Sequence, residues 1–312
     1  MTEHRIKRRG AIQLLGAATG MAFIPRQMKA ALPAPQEPGF IYCFNTATIR
    51  AQKLGLVKEL EVVAKAGFQG IEIWVDTLQA YLAGGGSLAD IPKRTADLGI
   101  TIENAIGFDS WIVDDHSVRS KALEQLKKEM DLLAAIGCKR IAAPPSGATD
   151  TPGLDLRRAA ERYRSILELG DKTGVIPQLE LWGFSANLNK LSEVMFVAIE
   201  SGHPKAKVLL DNYHLYKGGT SLSSLHLVDP SAMDIFHVND FPGIAPATIT
   251  DADRVMPGDG VSPLKNVLQA LRSDSRPLII SVEIFNKKYY ARDAFEVARL
   301  ALEKTRSVTG AL

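Results

Sequence analysis

Four short apolar runs in the second half of the chain each carry, at or near their end, a side chain able to bind a metal ion or move a proton. Glu180 stands in Pro-Gln-Leu-Glu-Leu-Trp, Asp211 in Val-Leu-Leu-Asp-Asn-Tyr-His, His237 in Ile-Phe-His-Val-Asn-Asp and Glu283 in Ile-Ser-Val-Glu-Ile-Phe. An ionised carboxylate inside such a run is costly unless something cationic neutralises it. One divalent metal ion answers that demand for all four residues. A donor set of carboxylates and one imidazole, without thiolate, favours Mn²⁺, Mg²⁺ or Co²⁺, and Zn²⁺ also fits. Taken singly, each residue has an ordinary reading as a member of a buried ion pair or as a hydrogen-bonded core histidine. Their recurrence in phase with consecutive runs is what points to a shared site.

The runs that carry them belong to a longer pattern. From Gly39 onward, eight strand candidates alternate with helical candidates: Phe40 to Phe44, Ile71 to Val75, Ile100 to Ile106, Arg140 to Ala143, Gln178 to Leu181, Lys207 to Leu210, Asp234 to Val238 and Leu278 to Ile284. The helices are expected near Leu54–Ala66, Leu88–Leu98, Ser117–Ile136, Leu154–Thr173, Leu188–Ser201, Ser221–Leu227, Pro263–Leu271 and Ala291–Ser307, several of them stopped by a glycine such as Gly67, Gly99 or Gly174. Strands that alternate with helices run parallel, so the expected fold is α/β, a single-domain (β/α)8 TIM barrel. The competing doubly wound sheet lacks a Gly-rich phosphate loop after its first strand. In a barrel all strand C-termini meet on one face, which is where Glu180, Asp211, His237 and Glu283 would converge.

Composition narrows the function classes. With 37 basic and 35 acidic residues the net charge is only +2, and part of the basic excess sits in the first nine positions, which leaves no polyanion-binding surface and excludes nucleic acid as the expected partner. Two cysteines build no disulfide framework, and Cys43 and Cys138 should lie at opposite ends of the barrel. Residues 1–34 read as an export signal and linker, ahead of the barrel at 35–312. Arg5, Lys7, Arg8 and Arg9 precede an apolar stretch from Ala11 to Ile24, shorter than the ~20 residues of a membrane span, and Pro33, Pro35 and Pro38 follow. The Arg8-Arg9 pair resembles a twin-arginine signal, which implies an exported, periplasmic protein with no membrane span in its mature form. An uncleaved cytoplasmic tail is the alternative, and no clear cleavage site appears.

Beyond these signals, Glu180, Asp211, His237 and Glu283 on the last four strands, the Asp211-Asn-Tyr-His214 element, and His237-Val-Asn-Asp240 followed by Arg254 and Pro257-Gly258-Asp259-Gly260 together resemble the xylose isomerase-like barrels. The resemblance covers the chain after Gly39 and is nearest to the keto-sugar 3-epimerase and hydroxypyruvate isomerase branch. It implies Glu180, Asp211, His237 and Glu283 as metal ligands, Glu180 and Glu283 also as the acid/base pair, and His214 and Arg254 as contacts to substrate oxygens. Glu72 joins the substrate contacts on weaker grounds. The DNA-repair endonuclease branch needs more histidines than the six present, of which His4 lies in the signal.

Such a site would act on a small carbohydrate through an enediolate. A metal-polarised ketone acidifies the neighbouring C–H, and two carboxylates on opposite sides of that carbon move the proton. Return to the far face is epimerisation, return to the adjacent carbon is isomerisation, and loss of a β-oxygen makes a lyase or dehydratase acting on a 3-keto-glycoside or related sugar. A non-catalytic exported sugar-binding barrel is the reading from another class. No phosphate loop follows strands seven and eight, so a free or glycosidically linked sugar is expected rather than a sugar phosphate. Trp74, Trp111, Trp182, Phe44-Asn45-Thr46 and Phe108-Asp109 are candidates for the pocket wall. Glu103 is as well suited to an ion pair with Arg or Lys as to a substrate contact. The sequence leaves room for an oligomer.

Overall fold

Alternation within the apolar runs sorts side chains onto two faces. Cys43, Trp74, Ile106, Ala142, Leu209, Ile235 and Ile279 pack on one another inside a barrel, while Phe44, Ile73, Ala105, Ile141, Leu179, Leu210, Phe236 and Val282 join the layer between strands and helices. The structure is a computed structural model that describes residues 39–310. Its strands are β1 (Phe40–Asn45), β2 (Gly70–Trp74), β3 (Thr101–Ile106), β4 (Arg140–Ala143), β5 (Ile176–Glu180), β6 (Val208–Asp211), β7 (Ile235–Val238) and β8 (Leu278–Val282). They pair in parallel in chain order, and β8 closes on β1 with Cys43 opposite Ser281.

The helices are α1 (Leu56–Ala66), α2 (Val75–Ala83), α3 (Asp90–Leu98), α4 (His116–Ala135), α5 (Leu156–Thr173), α6 (Leu191–Glu200), α7 (Asn212–Lys217), α8 (Leu264–Leu271), α9 (Lys287–Tyr290) and α10 (Ala294–Thr309). Three of these were not expected: α2, α7 and the short α9. Val75, read as the end of the second strand, instead opens α2, and α7 follows β6 without a loop because Asp211 caps it. The helix expected at Ser221–Leu227 is a 3-10 segment, Leu222–Leu227. There Ser224 donates to the Ser221 carbonyl and the Ser221 and Ser223 hydroxyls pair, local bonds that compete with α-helix formation.

One bulge shapes the interior. The β2–β3 register passes from Ile71 opposite Ile102 to Glu72 opposite Asn104, leaving Glu103 as an extra residue. Glu103 turns to Arg140, 3.1 Å away, which also binds Asp234 at 3.1 Å. Of the two readings of Glu103, the structure supports the ion pair. Cys43 and Cys138 are both buried and unpaired. The export segment lies outside the described residues. Among the described residues no helix is long and apolar enough to cross a membrane.

Asp109 does not join the pocket wall. Its carboxyl lies near Glu129, which accepts from Gln79 and Gln125. Burial, then the Glu129 charge, pushes Asp109 up to about 8. The folded chain therefore holds a proton there that the unfolded chain has released above the ordinary aspartate value of 3.8, so this residue's contribution to stability falls as pH rises from about 4 to about 8. Asp109→Asn is expected to melt progressively higher than wild type across that window, with no growing advantage above it. Parallel thermal melts at pH 5 and pH 8.5 check this, and a gap that does not widen with pH contradicts it.

Candidate metal and proton-transfer site

The C-terminal ends of the strands carry a cluster of buried charge. Asp211, His237 and Glu283 offer ligand atoms that all lie within 4.8 Å of one another, and their relative exposures are 1%, 0% and 4%. His237 points Nδ1 at Glu283 Oε2, 3.3 Å away, and at Asp211 Oδ2, 3.9 Å away, without a hydrogen-bond partner of adequate geometry. Its Nε2 faces both oxygens of Glu72, at 3.0 and 3.2 Å. Glu72 in turn accepts from Asn104 at 2.7 Å. A carboxylate that engages one ring nitrogen of a histidine and so presents the other to a cation is the usual support of a metal-binding imidazole.

Each of these positions has a local cause. Asp211 ends β6 and caps α7, accepting the His214 N–H at 2.8 Å with one oxygen and leaving the other to the site. That is the structural content of the Asp-x-x-His element: one residue serves both helix start and centre, and it brings His214 over the cavity. The close packing of α7 demands Gly183 after β5, since a Cβ there would lie 2.2 Å from the His214 carbonyl oxygen. The Pro-Gly-Asp-Gly element works similarly for Arg254. Asp240 accepts backbone N–H groups of Phe241, Gly258 and Ser262, and a Cβ at Gly260 would come within 2.3 Å of Asp240 Oδ1. The loop so folded pairs Val255 with Asp240 and drops Arg254 into the barrel mouth.

Arg254 is fully buried and donates to Glu283 Oε2 at 2.9 Å and Asp211 Oδ2 at 3.2 Å; it also pairs with Asp251 and lies 3.1 Å from His214 Nε2. The Tyr213 ring lies 4.4 Å from its guanidinium carbon. Burial would raise Glu283, but His237 and then Arg254 outweigh it and hold this carboxyl down to about 2. Burial dominates at Glu180, which is pushed up to about 8 despite the opposing pull of His237. His214 falls well below its ordinary value because it is buried and next to Arg254. Four buried carboxyl groups, at Glu72, Glu180, Asp211 and Glu283, thus face the Arg254 guanidinium and the His237 and His214 imidazoles. With Glu180 Oε2 and His237 Nδ1 unpartnered, these residues fit a divalent cation.

Above the cluster is a cavity of about 370 Å³. Glu180, His214, Arg254 and Glu283 line its polar side, and Trp74, Phe108, Trp182, Phe184 and Phe285 its apolar side. The rings form a continuous chain, with Trp74–Phe108 centroids 5.1 Å apart, Phe108–Trp182 6.0 Å and Trp182–Phe184 5.2 Å.

Not every expected residue lies where the sequence reading put it. Glu180 faces the cavity and feels the charges of His237, Glu283 and Asp211, yet stands outside the compact three-residue group. Glu72 lies behind His237, wholly buried, and does not line the cavity, because Asn104 and His237 hold both its oxygens. Trp111 is in the core, donating to the Pro144 carbonyl at 2.9 Å, and Phe44 is buried under the helices. Two asparagines, Asn104 and Asn239, escaped the sequence reading as site residues, and Asn45, expected only in the pocket wall, reaches the charged cluster as well. Asn45 donates to Glu283 at 3.0 Å, Asn104 to Glu72, and Asn239 to Asp211 at 2.8 Å. Asn239 lies two residues after His237 on the same strand phase, which is the one signal that marks it.

A family model of the xylose isomerase-like TIM barrel matches residues 60–306. The chain belongs to that family. Within it, the chain is 28% identical over 273 residues to the inosose isomerase of Bacillus velezensis, covering 85% of this chain and 96% of that protein. A crystal structure of an IolI protein with a bound zinc atom superposes with a TM-score of 0.79 at 25% identity, over 87% of this chain and 99% of the other. The 3-dehydroshikimate dehydratase of Pseudomonas putida is 26% identical over 76% of this chain, which spans only 37% of that longer protein.

Proposed function

We propose that this barrel is a divalent-metal-dependent sugar isomerase or epimerase that acts on a keto-sugar. The observation that carries this reading is the buried convergence of Asp211, His237 and Glu283 beneath a cavity lined by Glu180 and Glu283. Asp211, His237 and Glu283 would hold the ion, with Glu180 facing it from across the cavity. When bound, the metal would polarise the ketone and so acidify the neighbouring C–H.

The chain's own residues supply the rest. Environments that push two carboxyls apart in pKa assign acid and base between them, and here Glu283 is ionised and Glu180 holds its proton near neutrality. Glu283 takes the proton from carbon and Glu180 returns one. His214, kept neutral by burial and Arg254, lines the cavity beside the substrate, and its Nδ1 has no partner in the protein. Arg254 holds Asp211 and Glu283 in place and offers charge to developing negative oxygen. The aromatic wall excludes water and packs on the C–H faces of the sugar.

A lyase or dehydratase is the second reading. The relationship to 3-dehydroshikimate dehydratase favours it, as does a Glu180 proton available to a leaving oxygen. Metal analysis of purified protein, then incubation of the metal-loaded protein with ketoses in deuterated water, separates the readings. Carbon-bound deuterium without loss of a group is the expected result. Release of a leaving group selects the lyase, and a metal-bound protein that exchanges nothing defeats both.

Export to the periplasm is part of this proposal and rests on Arg8-Arg9 ahead of Ala11–Ile24. Fractionation of cells expressing the full chain, with and without Arg8→Lys and Arg9→Lys, tests it; equal cytoplasmic retention of both forms rejects it.

A further inference from the structure

A second depression, of about 790 Å³, opens on the same barrel face as the catalytic cavity, between the segments that follow β1, β2 and β8. The partition between the two is thin. Trp74 lines the cavity, Arg50 lines the groove, and the Arg50 guanidinium carbon lies 3.9 Å from the Trp74 ring centroid. Both Arg50 terminal nitrogens bind Asp76, which sets adjacent donors and acceptors along the rim. Glu59, also in the lining, is only 5% exposed, and its Oε2 has no hydrogen-bond partner. A buried carboxyl oxygen without a partner leaves a hydrogen-bonding demand in the lining unmet.

The chemistry of the lining selects the ligand. Burial, partly offset by Arg50, pushes Glu59 up to about 7, so near neutrality it can donate as well as accept. The lining carries Arg50, Lys53 and Lys58 beside Glu59 and Asp76; Arg50 is engaged by Asp76 and Lys58 by Glu61, and neutral hydroxyls satisfy the mixed donors and acceptors alike. Tyr290 is pinned by its bond to the Ala47 carbonyl at 3.0 Å, and with Tyr81 it supplies ring surface of the kind sugars stack against.

We propose that this groove is a second subsite, which takes a neutral, hydroxyl-rich ring attached to the reacting keto-sugar, so that the substrate is a glycosidically extended sugar. The inference rests on the keto-sugar reading above and names the part of the substrate remote from the reacting carbon.

The test uses the metal-loaded full chain and pairs of probes, each pair a free ketose and the same ketose carrying a glucosyl substituent, such as D-fructose and maltulose. Binding is read by calorimetry and saturation-transfer NMR in wild type and in Ala80→Trp, which fills the groove from an exposed position on α2. The extended member of at least one pair should bind tenfold or more tighter than its free ketose. Ala80→Trp should erase that advantage and leave the affinity for the free ketose within about twofold, with an unchanged melting temperature showing that it folds. Thr77→Tyr fills the same groove one turn earlier and serves if Ala80→Trp is unstable. Equal affinity within every pair, or an advantage that survives both substitutions, overturns the subsite while the keto-sugar reading stands. Failure of every ketose, free or extended, to bind or exchange deuterium overturns that reading and the subsite with it.

Discussion

Glu180→Gln is expected to retain its metal and lose its turnover. The three ligand atoms nearest one another belong to Asp211, His237 and Glu283, and Glu180 is not among them. A carboxyl pushed up to about 8 is mostly protonated at pH 7, so an amide of the same shape changes neither the local charge nor the packing much there. What the amide lacks is a transferable proton. General acid–base groups contribute ~10²–10⁴ in rate, and a fall of that size in epimerised product is the expected outcome, while exchange through Glu283 persists and metal content and melting temperature stay near wild type. Metal analysis beside single-turnover product formation reads both quantities in one preparation. Loss of the metal together with turnover would show instead that Glu180 is a fourth ligand, as the family resemblance implies, and would withdraw its separate role as acid.

Glu72→Gln is expected to act through the metal rather than the substrate. Glu72 is sealed behind His237, and its two oxygens engage His237 Nε2 and Asn104. Substitution removes the charge that fixes the ring orientation, and it puts an amide N–H₂ where His237 or Asn104 needs an acceptor. Partners of this kind are worth ~10–100-fold in metal affinity. The variant should therefore show weakened metal binding in a chelator competition and recover most of its kcat when metal is supplied in excess, with KM for the ketose little changed. A raised KM at saturating metal would point to direct substrate contact, which is the role the sequence reading gave this residue. Unchanged metal affinity would remove Glu72 from the support of His237.

Much of this was legible in the residues alone. Short apolar runs that alternate with amphipathic segments, and glycine helix stops, are local properties, so the eight strands and the barrel followed from reading along the chain, and the four chemical side chains on the last four strands emerged as an in-phase set. Asp211 with His214, and Arg254 with the Pro-Gly-Asp-Gly element, were likewise visible, although the reason for their spacing was not. That reason is packing: Asp211 caps the helix that carries His214, and Asp240 folds the loop that delivers Arg254.

Only the tertiary structure decided which of the candidates touch. Sequence spacing says which face a strand residue occupies, but not how far its side chain reaches or what already fills its bonds. Glu72 and Glu103 read alike as acids on neighbouring strands. The β3 bulge sends Glu103 to Arg140, whereas Glu72 is claimed by His237 and Asn104. Arg254 looked like a loop arginine and is fully buried between two carboxylates. The asparagines at 45, 104 and 239 carry no charge to betray them; Asn104 and Asn239 act across neighbouring strands, and Asn45 reaches Glu283 only because β8 closes on β1.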